Sequence, residues 1–232
     1  MSRGFGEIGV IKQLPESIIA IAGLITQLGD MWFVVLWIIG TYWIVSRDSS
    51  ITNTPLQDCS YLFALALGTS ALTMSLKHIF MLPRPPGATT AMLPAWLPAS
   101  SKPVYESLVT SDGFGFPSGH ALKSTAVYGG AALLFTKRDG QNYLVPAAIV
   151  TIVALSRVVL GVHYVVDILT GILLGLLFLV GMNRLTKADP RPAFVVSTLL
   201  GLIAVVLSQS YTSVLVVVAG GLGLGSWEYS HR

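Results

Sequence analysis

The chain alternates long apolar segments with short polar ones, and seven of the apolar segments read as membrane-spanning helices. An earlier run, Ile18 to Ile25, is too short to cross a bilayer, which takes about 20 residues. It is expected to lie in the membrane interface, within a mildly amphipathic stretch over residues 5–30. The first span is Met31–Val45, where Trp32 and Trp43 suit the two headgroup zones. Arg47 and the polar residues up to Asp58 form a short loop, and the second span, Cys59–Phe80, carries Lys77 to its far end. Residues 81–116 break the pattern. Pro83, Pro85, Pro86, Pro94, Pro98 and Pro103 predict a long extramembrane loop, the natural place for a lid or substrate gate. Span three starts at Ser118-Gly119-His120 and ends before Lys137-Arg138; span four is about Tyr143–Val159. Gly161 turns the chain, and His163 opens span five, which ends near Met182. Spans six and seven, Pro192–Leu207 and Tyr211–Trp227, form a hairpin over residues 192–227 with Gln209 and Ser210 at its tip. No internal repeat is present.

Composition sharpens this picture. The chain is 53% hydrophobic and 11% charged, with a mean hydropathy of +0.72. These values exclude a soluble globular domain. The expected fold is all-α: one polytopic transmembrane helical bundle over residues 1–232, with an interfacial N-terminal segment. The net charge of +3 is spread out, with no basic run of the kind that binds nucleic acid. The single Cys59 excludes an intramolecular disulfide and a cysteine-based metal site. The N-terminal apolar run sits well behind Arg3 and Lys12 and lacks a small-residue cleavage site, so it is expected to be retained. No lipidation motif appears. Arg47, Lys137-Arg138, Arg184, Lys187 and Arg191 all fall on one side of the predicted bundle, which the positive-inside rule places in the cytoplasm. The odd number of spans then puts the N-terminus outside and Arg232 inside.

Against this background three polar clusters stand out: Lys77 with Arg84-Pro85, then Pro117-Ser118-Gly119-His120, then Ser156-Arg157 with His163 and Asp167. Ionisable groups at membrane depth are costly and mark function by default. Lys77, Arg84 and Arg157 can neutralise a phosphomonoester, Arg as a planar fork and Lys as a compact charge. Ser118 supplies a hydroxyl. Gly119 lets a backbone N–H approach a phosphoryl oxygen at a helix start, where the dipole favours anions. His163 and Asp167 lie four residues apart on one helical face. The carboxylate can hold one imidazole nitrogen as N–H and leave the other free to attack phosphorus. His120 can then protonate the leaving alkoxide and later deprotonate water. No metal or other cofactor is required, and the carboxylates are too few for a two-metal site.

The ordered set resembles the three-part signature of the type 2 phosphatidic acid phosphatase (PAP2) superfamily, which includes membrane lipid phosphate phosphatases and soluble vanadium haloperoxidases. The likeness covers a motif core over residues 77–167 with no position missing. The resemblance implies the same roles: nucleophile at His163, acid at His120, orienting carboxylate at Asp167, and phosphate ligands at Lys77, Arg84, Ser118, Gly119 and Arg157. It also implies a six-helix core, no metal requirement and sensitivity to vanadate. Phosphatidic acid, phosphatidylglycerophosphate and polyprenyl diphosphates are all compatible substrates. All three clusters fall on the extracytoplasmic face.

Two rival readings share these residues. One is phosphotransfer to a lipid alcohol; the other is a non-catalytic protein that binds or transports lipid phosphates. The full set of His120, His163 and Asp167 favours catalysis, since binding needs only the cations. Elsewhere Gly171 and Gly175 are spaced to pack helices. Gly220, Gly221, Gly223 and Gly225 offer a close-packing face, to a neighbouring helix or a second copy of the chain. Lys123, one turn after His120, reads equally as a substrate contact or as a snorkelling lysine.

Overall fold

Segments that meet lipid must satisfy their own backbone hydrogen bonds, so helices dominate the architecture. The computed structural model describes residues 3–11, 13–135 and 143–230. Along them run α1 (Glu7–Ile11), α2 (Glu16–Ile25), α3 (Met31–Val45), α4 (Pro55–Phe80) and α5 (Lys102–Val109). They are followed by α6 (Gly119–Phe135), α7 (Leu144–Val159), α8 (Val165–Thr186), α9 (Pro190–Ser208) and α10 (Tyr211–Ser230). The described residues form no strand, only an isolated bridge between Pro83 and Phe114.

Each of the seven expected spans is helical: α3, α4, α6, α7, α8, α9 and α10. By length and apolarity alone, α4, α8 and α9 suffice to cross a bilayer. A fourth crossing arises if residues 16–29 and α3 form one broken span, bent by 59° at Asp30. The N-terminal apolar run is continued by a 3-10 turn, Thr26–Gly29, which carries α2 on towards α3. The proline-rich loop contains a helix of its own, α5. Lys137 and Arg138 lie outside the described residues.

Local chemistry sets the helix ends. Pro55 sits in the first turn of α4, where its fixed φ suits the helix and its missing N–H costs nothing. Met81 ends α4 in the left-handed conformation, φ 50°. Asp189 caps α9 by accepting from the Arg191 backbone N–H at 2.9 Å.

The bundle is built around α4. Leu62, Ala64, Leu65, Ala66 and Ala71 are fully buried on several sides of that helix, as expected for a helix apolar all round. The opposite condition holds outside. Leu173 and Leu177 of α8, Leu199 and Ile203 of α9, and Trp32 and Ile39 of α3 are exposed. Such continuous apolar surface suits lipid, and the chain is a multi-pass membrane protein.

Small residues bring the helices close. A Cβ on Gly68 would lie 2.6 Å from Phe178 Cζ and 2.8 Å from Ser197 Oγ. That closeness lets Ser197 Oγ donate to the Ala64 carbonyl at 2.7 Å, from α9 to α4. Ser197→Ala is expected to lower stability in detergent by about 1 kcal/mol, the order found for interhelical hydrogen bonds in membranes. An unchanged unfolding midpoint would count against that contribution. On the far side of α9, a Cβ on Gly220 would meet Thr198 and one on Gly223 would meet Phe194. Gly221 and Gly225 face open space.

Candidate active site

The site forms where the ends of α4 and α7 meet the starts of α6 and α8. After Met81 turns the chain, Gly115 N–H donates to the Leu82 carbonyl at 2.9 Å and draws the two ends of the long loop together. A Cβ on Gly115 would stand 3.2 Å from Arg84 Cα, so glycine makes room there for Arg84. The Arg84 guanidinium is then fixed at both ends. Nε donates to the Asp112 carbonyl at 2.7 Å and Nη1 to the Val162 carbonyl at 2.9 Å. Nη1 also lies 3.1 Å from His163 Nε2. Burial lowers the Arg84 guanidinium to about 10, with Asp112 and Asp167 opposing the drop, so it stays a cation at neutral pH.

His163 is placed by the end of α7. Gly161 adopts φ 67°, and the backbone N–H groups of Val162 and His163 both fold back onto the Arg157 carbonyl at 3.2 Å. The chain then enters α8, where Asp167 Oδ2 accepts from the Tyr164 backbone N–H at 3.0 Å. The same oxygen lies 3.5 Å from His163 Nδ1. His163 thus stands between unlike groups, with Arg84 at hydrogen-bonding distance of Nε2 and Asp167 at ion-pair distance of Nδ1. His163, Asp167, Ser118 and Arg157 are all buried.

The start of α6 is pinned to the start of α8, since Ser118 N–H donates to the Asp167 carbonyl at 3.0 Å. Below that bond, Cβ atoms on Gly171 and Gly175 would stand 2.6 Å from the carbonyl oxygens of Ser118 and Leu122. The small-residue pair foreseen for packing is what seats α8 on α6. Gly119 meets α4 equally closely, as a Cβ there would lie 2.8 Å from Thr73 Cγ2.

Arg157 Nη1 donates to Thr26 Oγ1 at 2.9 Å and Nη2 to Ser111 Oγ at 2.7 Å. Its Nε and the Ser118 hydroxyl are buried with no protein partner among the described residues. Lys77 lies within electrostatic range of Arg84, Arg157, Asp112 and Asp167. The structure therefore gathers the eight residues singled out from the sequence around one cluster rich in cations and hydrogen-bond donors. Neighbouring His78 is engaged elsewhere, with Nδ1 2.9 Å from the Met74 carbonyl oxygen and its ring edge-on to Phe114.

The N-terminal segment adds residues that the motif pattern did not reveal. Arg3 Nη2 lies 3.1 Å from Asp167 Oδ1 and 3.0 Å from the Pro83 carbonyl oxygen. Its guanidinium carbon stands 5.2 Å from the Tyr164 ring centroid, a cation–π distance. Asp30 Oδ1 lies 3.1 Å from His120 Nε2. One signal could have flagged Asp30: it is the only charged residue between Glu16 and Arg47. Lys123 donates to the Gly29 carbonyl at 3.3 Å, a contact neither reading of that lysine foresaw. Beside the cluster lies a cavity of about 230 Å³, bordered by Ile11, Ile19, Pro86, Thr90 and Gly161.

The chain is 39% identical over 83 residues to phosphatidylglycerophosphatase B of Bacillus subtilis, a stretch covering 33% of this chain and 41% of that protein. It is 48% identical over 56 residues to decaprenylphosphoryl-5-phosphoribose phosphatase of Mycolicibacterium smegmatis, covering 24% of this chain and 28% of that one. The chain thus spans about two fifths or less of the length of these relatives. Its fold is similar to a crystal structure of a transmembrane PAP2-type phosphatidylglycerolphosphate phosphatase from Bacillus subtilis. The TM-score is 0.60 at 22% identity, over 78% of this chain and 82% of that one. The family profile described as PAP2 superfamily matches residues 58–191. That match takes in more than half of the chain and every one of the three polar clusters, so this protein is a member of the PAP2 superfamily.

Proposed function

We propose that the chain hydrolyses a phosphomonoester or diphosphate of a membrane lipid, without a metal, through a phosphohistidine formed on His163. The carrying observation is the position of His163, with Nδ1 towards Asp167 at 3.5 Å and Nε2 towards Arg84 at 3.1 Å. A phosphoryl group held by Arg84 meets the nitrogen that Asp167 leaves free. Lys77, Arg84 and Arg157 offset its charge, while the Ser118 hydroxyl, the Gly119 N–H and Arg157 Nε offer donors to the equatorial oxygens. In the first step the His163 Nε2–P bond forms, the bond from phosphorus to the lipid oxygen breaks, and His120 gives that oxygen its proton. In the second step water attacks phosphorus, His120 takes the water proton, and the N–P bond breaks to release inorganic phosphate.

Burial of His163 and Asp167 favours this chemistry, because electrostatic interactions strengthen where water is excluded. The basic residues support an outward-facing site. Arg184 and Lys187 at the end of α8, Arg191 at the start of α9 and Arg47 after α3 lie at the helix ends away from the cluster. The names of the relatives put lipid phosphomonoesters first among substrates, and headgroup selectivity is assigned to the 86–116 loop that borders the cavity.

The test is phosphate release by detergent-purified protein from phosphatidic acid, phosphatidylglycerophosphate and a polyprenyl diphosphate, with EDTA, with and without vanadate. Release that resists EDTA and yields to vanadate is expected. Absence of release from every substrate, by folded protein that still binds lipid phosphate, would reject catalysis. Arg84→Lys is expected to lower kcat/KM about 10- to 100-fold. One ammonium cannot reproduce a fork that meets two carbonyls and the phosphate together. A variant within twofold of wild type would remove Arg84 from the site.

A further inference from the structure

We infer that Asp30 is the positioning carboxylate of His120, fixing its Nε2 and holding a proton on the imidazole for delivery to the leaving group through Nδ1. The role of His120 as acid rests on the proposed mechanism; the pairing with Asp30 rests on geometry alone.

Four observations carry this. Asp30 Oδ1 lies 3.1 Å from His120 Nε2, across 90 residues of sequence. Asp30 precedes α3 in the position of an N-cap, yet its side chain makes no capping hydrogen bond there, so helix capping does not account for it. The turn that carries it is pressed onto the imidazole, since a Cβ on Gly29 would stand 2.8 Å from His120 Cδ2. Three side chains of α6 and α7 also hold that turn. Tyr128 Oη donates to the Leu28 carbonyl at 2.6 Å, Lys123 Nζ to the Gly29 carbonyl at 3.3 Å, and Arg157 Nη1 to Thr26 Oγ1 at 2.9 Å.

The charges explain the need. His120 shares its surroundings with the cations Arg157 and Lys123, and His163 stands within electrostatic range. Cations discourage an imidazolium, and a general acid must hold a proton before the reaction begins. Asp30 is the carboxylate that faces His120 and supplies the countercharge. It stays ionised through both steps, while His120 loses its proton to the lipid oxygen and regains one from water. A lone carboxylate in an apolar run, at the point where the chain bends by 59°, is otherwise a costly choice.

The experiment compares Asp30→Asn and Asp30→Glu with wild type on two substrates, phosphatidic acid and p-nitrophenyl phosphate. The aryl ester has a good leaving group and needs little protonation. Asp30→Asn is expected to lower kcat/KM about 30-fold or more on the lipid but less than about fivefold on the aryl ester. Without the carboxylate, the alkaline limb of its kcat/KM profile should move to lower pH, and Asp30→Glu should restore much of both. Equal losses on the two substrates with an unmoved limb would overturn the proposal and leave Asp30 a structural role. If Asp30→Asn does not fold, Asp30→Ser serves as the second charge-free variant. An arm that needs no turnover uses isotope-labelled histidine and follows the His120 resonance, assigned with His120→Gln, through a pH titration. An unchanged midpoint in the charge-free variant would overturn the pairing even if wild type proves inactive, an outcome that by itself rejects only the proposed function.

Discussion

His163→Ala is expected to lower phosphate release by about 10⁴-fold or more while the protein stays folded. The imidazole is asked to form the covalent bond, and removing a nucleophile leaves only what binding and electrostatics can supply. The fold should survive. Arg84 keeps two acceptors, the Asp112 and Val162 carbonyls, after its contact with His163 is gone. Asp167 keeps Arg3 and the Tyr164 N–H. Rapid quenching of wild type with labelled lipid phosphate should trap an acid-labile, base-stable phosphoprotein that the variant lacks. Full release by His163→Ala would end the covalent mechanism. Loss of release together with loss of cooperative unfolding would mean that the imidazole is needed for packing. Imidazole added to the folded variant should restore part of the rate, because truncation leaves room in a site where His163 is only 1% exposed.

The second large effect is expected from one added methyl group. In Gly171→Ala the new Cβ would stand 2.6 Å from the Ser118 carbonyl oxygen and 3.0 Å from Ala121 Cβ. Backbone cannot yield as a side-chain tip does, so α8 must move off α6. Overpacking of this kind costs about 1–3 kcal/mol. The displacement also acts on chemistry, since α8 carries Asp167 and follows His163 directly, while α6 begins beside Ser118. Thermal unfolding and phosphate release should therefore fall together. Gly181→Ala is the matched control. Nothing lies within 4 Å of a Cβ there, so it should be neutral or stabilising by up to about 1 kcal/mol through helix propensity. If the two variants behave alike, close approach at Gly171 is not what holds the site together.

Much of this protein was legible before any coordinates. The succession of helices follows from runs of apolar residues long enough to be read without tertiary information, and the proline-rich break from residues that cannot continue a helix. The seating of Gly171 and Gly175 follows from helical spacing, because residues four apart share a face whatever the helix packs against. The pairing of His163 with Asp167 does not: His163 precedes α8, so the turn after α7 and the Tyr164 cap, not a shared helical face, bring it to the carboxylate. The three cations could be grouped because each cluster lies at the end of an apolar run, where charge is expensive.

What stayed hidden involves contacts between distant parts of the chain. Arg3 meets Asp167 across 164 residues, and nothing in its local sequence separates it from an ordinary terminal arginine. Asp30 and His120 each carried a signal, but their pairing did not. A lone carboxylate in an apolar run announces a purpose without naming His120. The link from residues 18–25 to the next helix was hidden because a short apolar run does not reveal that a 3-10 turn and a bend will lead it there. The helices, their order and the chemical character of the site are written in the local sequence, since these depend on periodicity and on the cost of charge in lipid. That the N-terminal segment closes onto the site, with Arg3 against Asp167 and Asp30 against His120, follows from tertiary packing, which fixes the distant side chains that come within reach of one another.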